Sequence, residues 1–145
     1  MIQYPINWEN IHDNNTVEFS FKGLIIEAKC VKVYDGDSIK IVFPFNDMLI
    51  KLTIRLALVD TPELHDTNEK VKNYAYFVRD QLREKIFNKM IIVHLYNYDK
   101  YGRTLADIYI VNNLGKKEHI NTWLIENKYG IKYNGGTKSD WSLLI

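Results

Sequence analysis

Apolar residues recur along this chain with two different periods, and the periods divide it into elements. From Ile26 the stretch LIIEAKCVKVY (24–34) alternates as a half-buried strand does, and IKIVF (39–43) puts Ile39, Ile41 and Phe43 on one face. A third strand is predicted over 49–59, where Ile50, Leu52, Ile54, Leu56 and Leu58 share a face, so Arg55 points to the opposite side with Lys51 and Thr53. The period then lengthens: Val71, Ala75, Val78, Leu82 and Ile86 recur every third or fourth residue, the stripe of a helix with one buried face. MIIVHLY (90–96) and LADIYIV (105–111) predict two more strands, and INTWLIENKY (120–129) a shorter helix with Gly130 as its C-terminal stop. DGDS (35–38), PFND (44–47) and NYDKYGRT (97–104) read as the connecting turns.

The fold class implied is mainly β with helices (α+β). Five strands with a helix between the third and fourth and another after the fifth is the layout of an OB-type Greek-key barrel, a scaffold often used to bind oligonucleotides. The domain is expected over 21–145. Residues 1–20, polar with scattered Tyr4, Trp8 and Phe19, read as a loosely packed N-terminal extension.

Composition narrows the function without naming it. A chain of 145 residues, 46% apolar and 26% charged, can bury one proper core. The net charge is only +1, so any anion site is a local patch rather than a global field. Lysine outnumbers arginine 15 to four, which makes Arg55, Arg79, Arg83 and Arg103 positions that need a reason. Cys30 is the single cysteine, so no intrachain disulfide forms. No apolar leader or membrane-length stretch is visible, and the expectation is an intracellular, cytoplasmic protein that acts as a monomer away from membranes.

The chemistry sits at the strand ends. Asp35 and Asp37 lie in the first hairpin turn; Asp60 and Glu63 lie just beyond the third strand. Each alone has an ordinary explanation, since Asp-Gly is a favoured hairpin turn and Asp60 before Thr-Pro suits a loop or cap. In the barrel, however, both segments reach one rim, and converging carboxylates repel unless a cation sits among them. Two carboxylates with a carbonyl and waters suit Ca²⁺; the four scattered histidines make no zinc cluster. Arg55 feeds the same rim and Arg103 lies in a glycine-bearing turn, whereas Arg79 and Arg83, spaced i, i+4 beside acids, read as a solvated helix face. Acids, a cation and guanidinium groups are the parts of a phosphodiester hydrolysis site.

Three segments, VYDGDSIKI, IRLALVDTPE and DKYGRTLADIYI, resemble in order the signature segments of the staphylococcal nuclease family, over about residues 22–133. The resemblance implies Ca²⁺-dependent hydrolysis of DNA and RNA that leaves 3′-phosphate ends; since stacked duplex resists placing a base on an aromatic platform, single-stranded or fraying, AT-rich substrates are expected to be preferred. It assigns Asp37, Asp60 and the Thr61 carbonyl to the metal, with Asp35 an acid behind them. Glu63 becomes the general base, Arg55 and Arg103 the phosphate-gripping arginines, and Lys100 and Tyr101 the holders of a terminal phosphate. Tyr133 is the candidate base-stacking tyrosine. Ser38 stands where a threonine is common, the loop His65–Lys70 is short for the family, and YNGGTKSDW (133–141) supplies a glycine-rich turn in which Asp140 can cap a following helix. The alternative is a catalytically silent OB-fold module that binds nucleic acid or protein; such a copy is expected to have lost several of these residues.

Overall fold

A computed structural model describes residues 5–145. Among them run β1 (Ile25–Asp35), β2 (Ser38–Phe45), β3 (Met48–Leu56), β4 (Val59–Asp60), α1 (Glu69–Ile86), β5 (Met90–Tyr98), β6 (Thr104–Val111), β7 (Lys117–His119), α2 (Ile120–Glu126) and β8 (Ile131–Lys132). The main sheet has the order β3-β2-β1-β5-β6-β7, and β3 also pairs in parallel with β6 through Ile54–Thr104, Arg55–Leu105 and Leu56–Ala106. That pairing closes β1, β2, β3, β5 and β6 into a five-stranded barrel with α1 between its third and fourth strands, the OB-type layout expected from the sequence. β7 extends the sheet beyond β6, and β4 with β8 forms a separate two-stranded ribbon. No helix among the described residues is long and apolar enough to cross a membrane.

The two periods do what they predict, except that a register shift after Cys30 turns Val33 inward. Ala28, Cys30 and Val33 from β1, Ile39, Ile41 and Phe43 from β2, and Val93, Leu95, Ala106 and Ile108 from β5 and β6 are wholly buried inside the barrel. The buried residues of α1 are Val71, Ala75, Val78, Leu82 and Ile86, the five of the stripe. Its start is set by Asn68, whose side chain accepts from the Val71 N–H and so satisfies one orphan donor. Each such aliphatic side chain contributes about 1.5–3 kcal/mol of burial. Cys30 belongs to this core, and burial pushes its thiol up to about 11.

Four local expectations are corrected. Pro44 and Phe45 continue β2, and the turn shrinks to Asn46 and Asp47, both at positive φ (50° and 61°), the geometry of a two-residue hairpin. Pro44 is tolerated because it lies beyond the last β1–β2 pair, Lys29–Val42, with β3 alone beside it. Leu58 does not share the buried face of β3: the chain turns at Ala57–Leu58 and leaves Leu58 exposed at φ 60°. The short helix α2 ends at Glu126, and Lys128, not Gly130, takes the left-handed conformation after it. Gly130 serves a close approach instead, since a Cβ there would lie 2.6 Å from Val59 Cγ2 and 3.1 Å from the Asp60 carbonyl.

Residues 5–20 are exposed nearly throughout and contain two short 3-10 turns, Trp8–Asn10 and Asp13–Asn15. Their contact with the barrel comes at the end, where Phe19 meets Phe21 edge-on at 4.9 Å and Tyr98 Oη donates to the Phe19 carbonyl. The start of the expected extension, Tyr4 included, lies outside the described residues. Asp140 caps a single 3-10 turn, Trp141–Leu143.

Candidate active site

The site begins with a corner held by an arginine. Arg55 Nη1 donates to the carbonyls of Leu56 (2.9 Å) and Val59 (2.8 Å), one before and one after the Ala57–Leu58 turn. Ala57 is fixed from the other side: its N–H donates to the Ala106 carbonyl, and the buried Asn121 amide donates to its carbonyl at 3.0 Å. The chain leaving β3 is thereby bent onto β4, which carries Asp60 to the barrel rim. The first hairpin is fastened to the same place. Leu56 N–H donates to the Asp37 carbonyl, and Thr61 N–H donates to Asp37 Oδ2 at 3.1 Å. Gly36 makes this approach possible, because a Cβ there would stand 2.7 Å from Val78 Cγ1 and 2.8 Å from Thr61 Cβ.

These turns place a guanidinium between two acids. Arg55 Nη2 lies 3.4 Å from Asp37 Oδ2 and 3.8 Å from Asp60 Oδ1, and all three residues are at most 5% exposed. Charges so far from water persist only when compensated. Arg55 therefore does not lie on a solvated strand face, as alternation alone suggests; its side of β3 is the inside of the site. Arg55 Nη2 and Asp60 Oδ1 are nonetheless buried without a hydrogen bond and held by ion pairs alone, the Asp60 oxygen 3.3 Å from Lys138 Nζ, so hydrogen-bonding capacity is left over at both atoms. Burial raises the Asp60 pKa against the opposing pull of Lys138 and of the Trp141 indole N–H, which donates to Asp60 Oδ2 at 3.2 Å. Glu63 sits half-exposed at the edge, 2.7 Å from Lys138 Nζ. Lys138 is held protonated by Glu63, Asp60 and Asp37 against the cost of its burial.

The opposite wall is the β5–β6 turn. Asp99 accepts the N–H groups of Tyr101 and Arg103 and the Arg103 Nε–H, the last at 2.8 Å. Burial works against the Asp99 charge, but these bonds and the guanidinium hold its carboxyl below the usual range. Arg103 Nη1 reaches the Ser38 hydroxyl at 3.2 Å, and Ser38 pairs with Arg55 across β2 and β3. Serine in place of threonine thus keeps the hydroxyl that Arg103 meets, on the residue paired with Arg55. Between the walls runs a groove of about 1220 Å³ lined by Asp35, Asp37, Arg55, Glu63, Lys100, Tyr101, Arg103 and Tyr133, among others. Tyr101 is 74% exposed, with Lys100 and Arg103 over its ring. The Tyr133 ring lies 5.8 Å from the Arg55 guanidinium, and its hydroxyl donates to the Gly136 carbonyl.

Eight of the ten sequence-predicted site residues thus line one groove. Asp60 and Thr61, 1% and 2% exposed, stand behind its wall. Arg79 pairs with Asp80 on the helix surface, as a solvated face does. Asp99, Lys138 and Trp141 were not anticipated. Asp99 carried a readable signal, being four residues before Arg103 in one turn; Lys138 and Trp141 meet their partners only through tertiary folding.

The acids fit a hard cation, though not as a ready-made cage. Among the described residues no group of three His, Cys, Asp or Glu side chains is gathered to hold a metal. Asp37 and Asp60 supply two carboxylates, one with a buried oxygen that makes no hydrogen bond, and with the Thr61 carbonyl and water they would make an oxygen set of the kind Ca²⁺ accepts.

Asp35 reports the crowding of negative charge. Burial first, and then the neighbouring Asp37 carboxylate, push its pKa up to about 7. In the unfolded chain an aspartate titrates near 3.9. Between about pH 4 and pH 7 the folded protein therefore holds the extra proton. The stabilisation is full below the unfolded value and is lost as pH rises through the folded one. Asp35→Asn should flatten that decline and raise the thermal midpoint of the metal-free protein at pH 8. Parallel pH profiles of melting for wild type and variant would refute this.

The fold and site define a closed OB-type barrel with a groove at its rim, walled by Arg55 between two buried acids on one side and by Arg103 on the other. The family model described as staphylococcal nuclease homologue matches residues 53–140, which take in the end of β3, the corner, Arg55, Arg103 and Lys138. The chain belongs to the staphylococcal nuclease homologue family. It is 33% identical over 126 residues to an uncharacterised protein of Methanocaldococcus jannaschii, covering 73% of this chain and 58% of that one. It is 30% identical over 84 residues to an uncharacterised endonuclease of Escherichia coli, covering 58% and 48%, and 27% identical over 84 residues to a probable endonuclease of Uncinocarpus reesii, covering 58% and 28%. The chain spans about half the length, or less, of these curated relatives.

Proposed function

We propose that this protein is a Ca²⁺-dependent nuclease that hydrolyses phosphodiester bonds of DNA and RNA and leaves 3′-phosphate ends. The observation that carries this reading is the unspent Arg55 Nη2 between Asp37 and Asp60, in a groove whose opposite wall bears Arg103. Storage of a cation needs the acids alone; two guanidinium groups turned into the same groove suit a phosphodiester. The endonuclease names of two relatives point the same way.

Asp37, Asp60 and the Thr61 carbonyl would hold the Ca²⁺, which supplies Lewis-acid stabilisation of charge on the phosphoryl oxygens. Arg55 and Arg103 grip the non-bridging oxygens and take up charge as it grows. Glu63, at the groove edge, orients a water and accepts its proton as oxygen bonds to phosphorus. The bond from phosphorus to the 5′-oxygen breaks, that oxygen takes a proton from solvent water and leaves as the 5′-hydroxyl, and the phosphate stays on the 3′ side. Tyr133 offers a ring for one base, and Lys100 and Tyr101 a place for a neighbouring phosphate. Placing a base on such a platform requires it to leave a stack, so single strands and fraying AT-rich duplex should be cut faster than GC duplex. The protein is proposed to act on these substrates as a monomer.

The test is incubation with single-stranded DNA and RNA, in Ca²⁺ or in chelator, with end-group analysis of the products. Cleavage in Ca²⁺ alone, with 3′-phosphate ends, is expected. Equal rates in chelator would sink the metal assignment. Oligonucleotide that is bound in Ca²⁺ yet never cut would establish the silent binding module instead.

A further inference from the structure

The segment Tyr133–Trp141 is a strap across the groove with a lysine aimed into the acids. It is tied down at both ends. Tyr133 N–H donates to the Leu58 carbonyl at 3.1 Å, and the Trp141 indole donates to Asp60 Oδ2. Between these ties Gly135, at φ 92°, has nothing within 4 Å of where a Cβ would be, and Gly136 follows it. The middle of the strap, held only within itself by the bond from Tyr133 Oη to the Gly136 carbonyl, delivers Lys138, whose Nζ lies 3.3 Å from Asp60 Oδ1 and 2.7 Å from Glu63 Oε1. That Asp60 oxygen is the buried one without a hydrogen bond, the acceptor a bound cation would use.

Resting on the cation site proposed above, we infer that Lys138 is the resident cation of the metal-free site and competes with Ca²⁺ for it. An ammonium and a divalent ion cannot both sit against the same Asp60 oxygen without strong repulsion at short range. Ca²⁺ therefore binds by displacing Lys138, and the glycines of the strap let the lysine move without releasing Tyr133 or Trp141. The strap sets the Ca²⁺ concentration at which the site loads. It also keeps the acids compensated, and the fold intact, while the metal is absent. Apparent Ca²⁺ affinity is then reduced by the fraction of molecules in which the lysine has left the site, and removing the lysine removes that reduction.

The experiment is calorimetric titration of Ca²⁺ into the full chain, as wild type, Lys138→Met and Lys138→Arg, with thermal melts of each in chelator and in saturating Ca²⁺. The Lys138 side chain is 43% exposed, so neither substitution opens the core. Lys138→Met should bind Ca²⁺ about tenfold more tightly at unchanged stoichiometry, as for a site the lysine leaves in about a tenth of molecules, while Lys138→Arg stays near wild type. In chelator Lys138→Met should melt below wild type, and saturating Ca²⁺ should erase the difference. Equal or weaker Ca²⁺ binding by Lys138→Met, with wild type binding normally, overturns the competition and leaves the metal site standing. No Ca²⁺ binding by any of the three proteins overturns the metal reading, and the inference with it.

Discussion

Glu63→Gln should lower kcat by about 10²–10⁴, the usual span for loss of a general base, while oligonucleotide affinity is kept or slightly improved. Glutamine preserves the size of the side chain and its ability to hydrogen-bond water, but it cannot take up a proton. The position makes this a clean test. The Glu63 side chain is 55% exposed at the edge of the groove, so no buried contact is lost with its charge. Among the described residues its charged partner is Lys138, through Oε1. A loss of turnover from disturbing that pair would appear equally in Lys138→Met, whereas loss of the base would appear in Glu63→Gln alone. Single-turnover kinetics in saturating Ca²⁺, with substrate binding measured separately, divides the two. Turnover unchanged in Glu63→Gln would keep the nuclease and remove Glu63 from its chemistry.

What the sequence disclosed and what it hid follow one physical division. Periodicity reports burial, so the α1 stripe Val71–Ile86 and the inward face of β2 were legible residue by residue, whereas in β1 a register shift after Cys30 turns Val33 inward against the alternation from Ile26. It cannot report where tertiary hydrogen bonds bend a strand. Leu58 continues the alternation of β3 and yet is 69% exposed, because the bonds of Arg55 and Asn121 hold a corner there. Gly130 looked like a helix stop but is required by the approach of Val59. The same division runs through the site. Asp35, Asp37, Arg55, Glu63 and Arg103 stand in short motifs whose residue types announce phosphate chemistry, and the fold gathers them in one groove. Lys138 and Trp141 reach Glu63 and Asp60 across separations of 75 and 81 residues. Nothing local to YNGGTKSDW distinguishes a strap that carries a cation from an ordinary glycine-rich turn.

The two arginines should respond differently to lysine, although both are assigned to the phosphate. Arg103 is the simpler case. Its side chain is 31% exposed, anchored through Nε to Asp99 and through Nη1 to Ser38, so Arg103→Lys keeps a cation in the turn but loses the planar fork. If that fork tightens on the phosphoryl oxygens as charge develops, kcat should fall by about 10²–10³, as when one oxyanion donor is removed, with little change in melting temperature. Arg55 carries a second duty. Its Nη1 satisfies the carbonyls of Leu56 and Val59, and its Nη2 stands between two buried acids. A lysine ammonium cannot span both carbonyls and both acids, and each buried carbonyl left unpaired costs about 1–3 kcal/mol. Arg55→Lys should therefore lose a similar factor in kcat and also melt several degrees lower. The loosened Ala57–Leu58 corner should weaken Ca²⁺ binding as well, since that corner aims Asp60. A binding-only module has no turnover to lose, and its affinity would follow charge, which neither substitution changes. Full turnover in Arg103→Lys would remove fork geometry from the mechanism, and an Arg55→Lys protein as stable as wild type would show that the corner stands without its arginine.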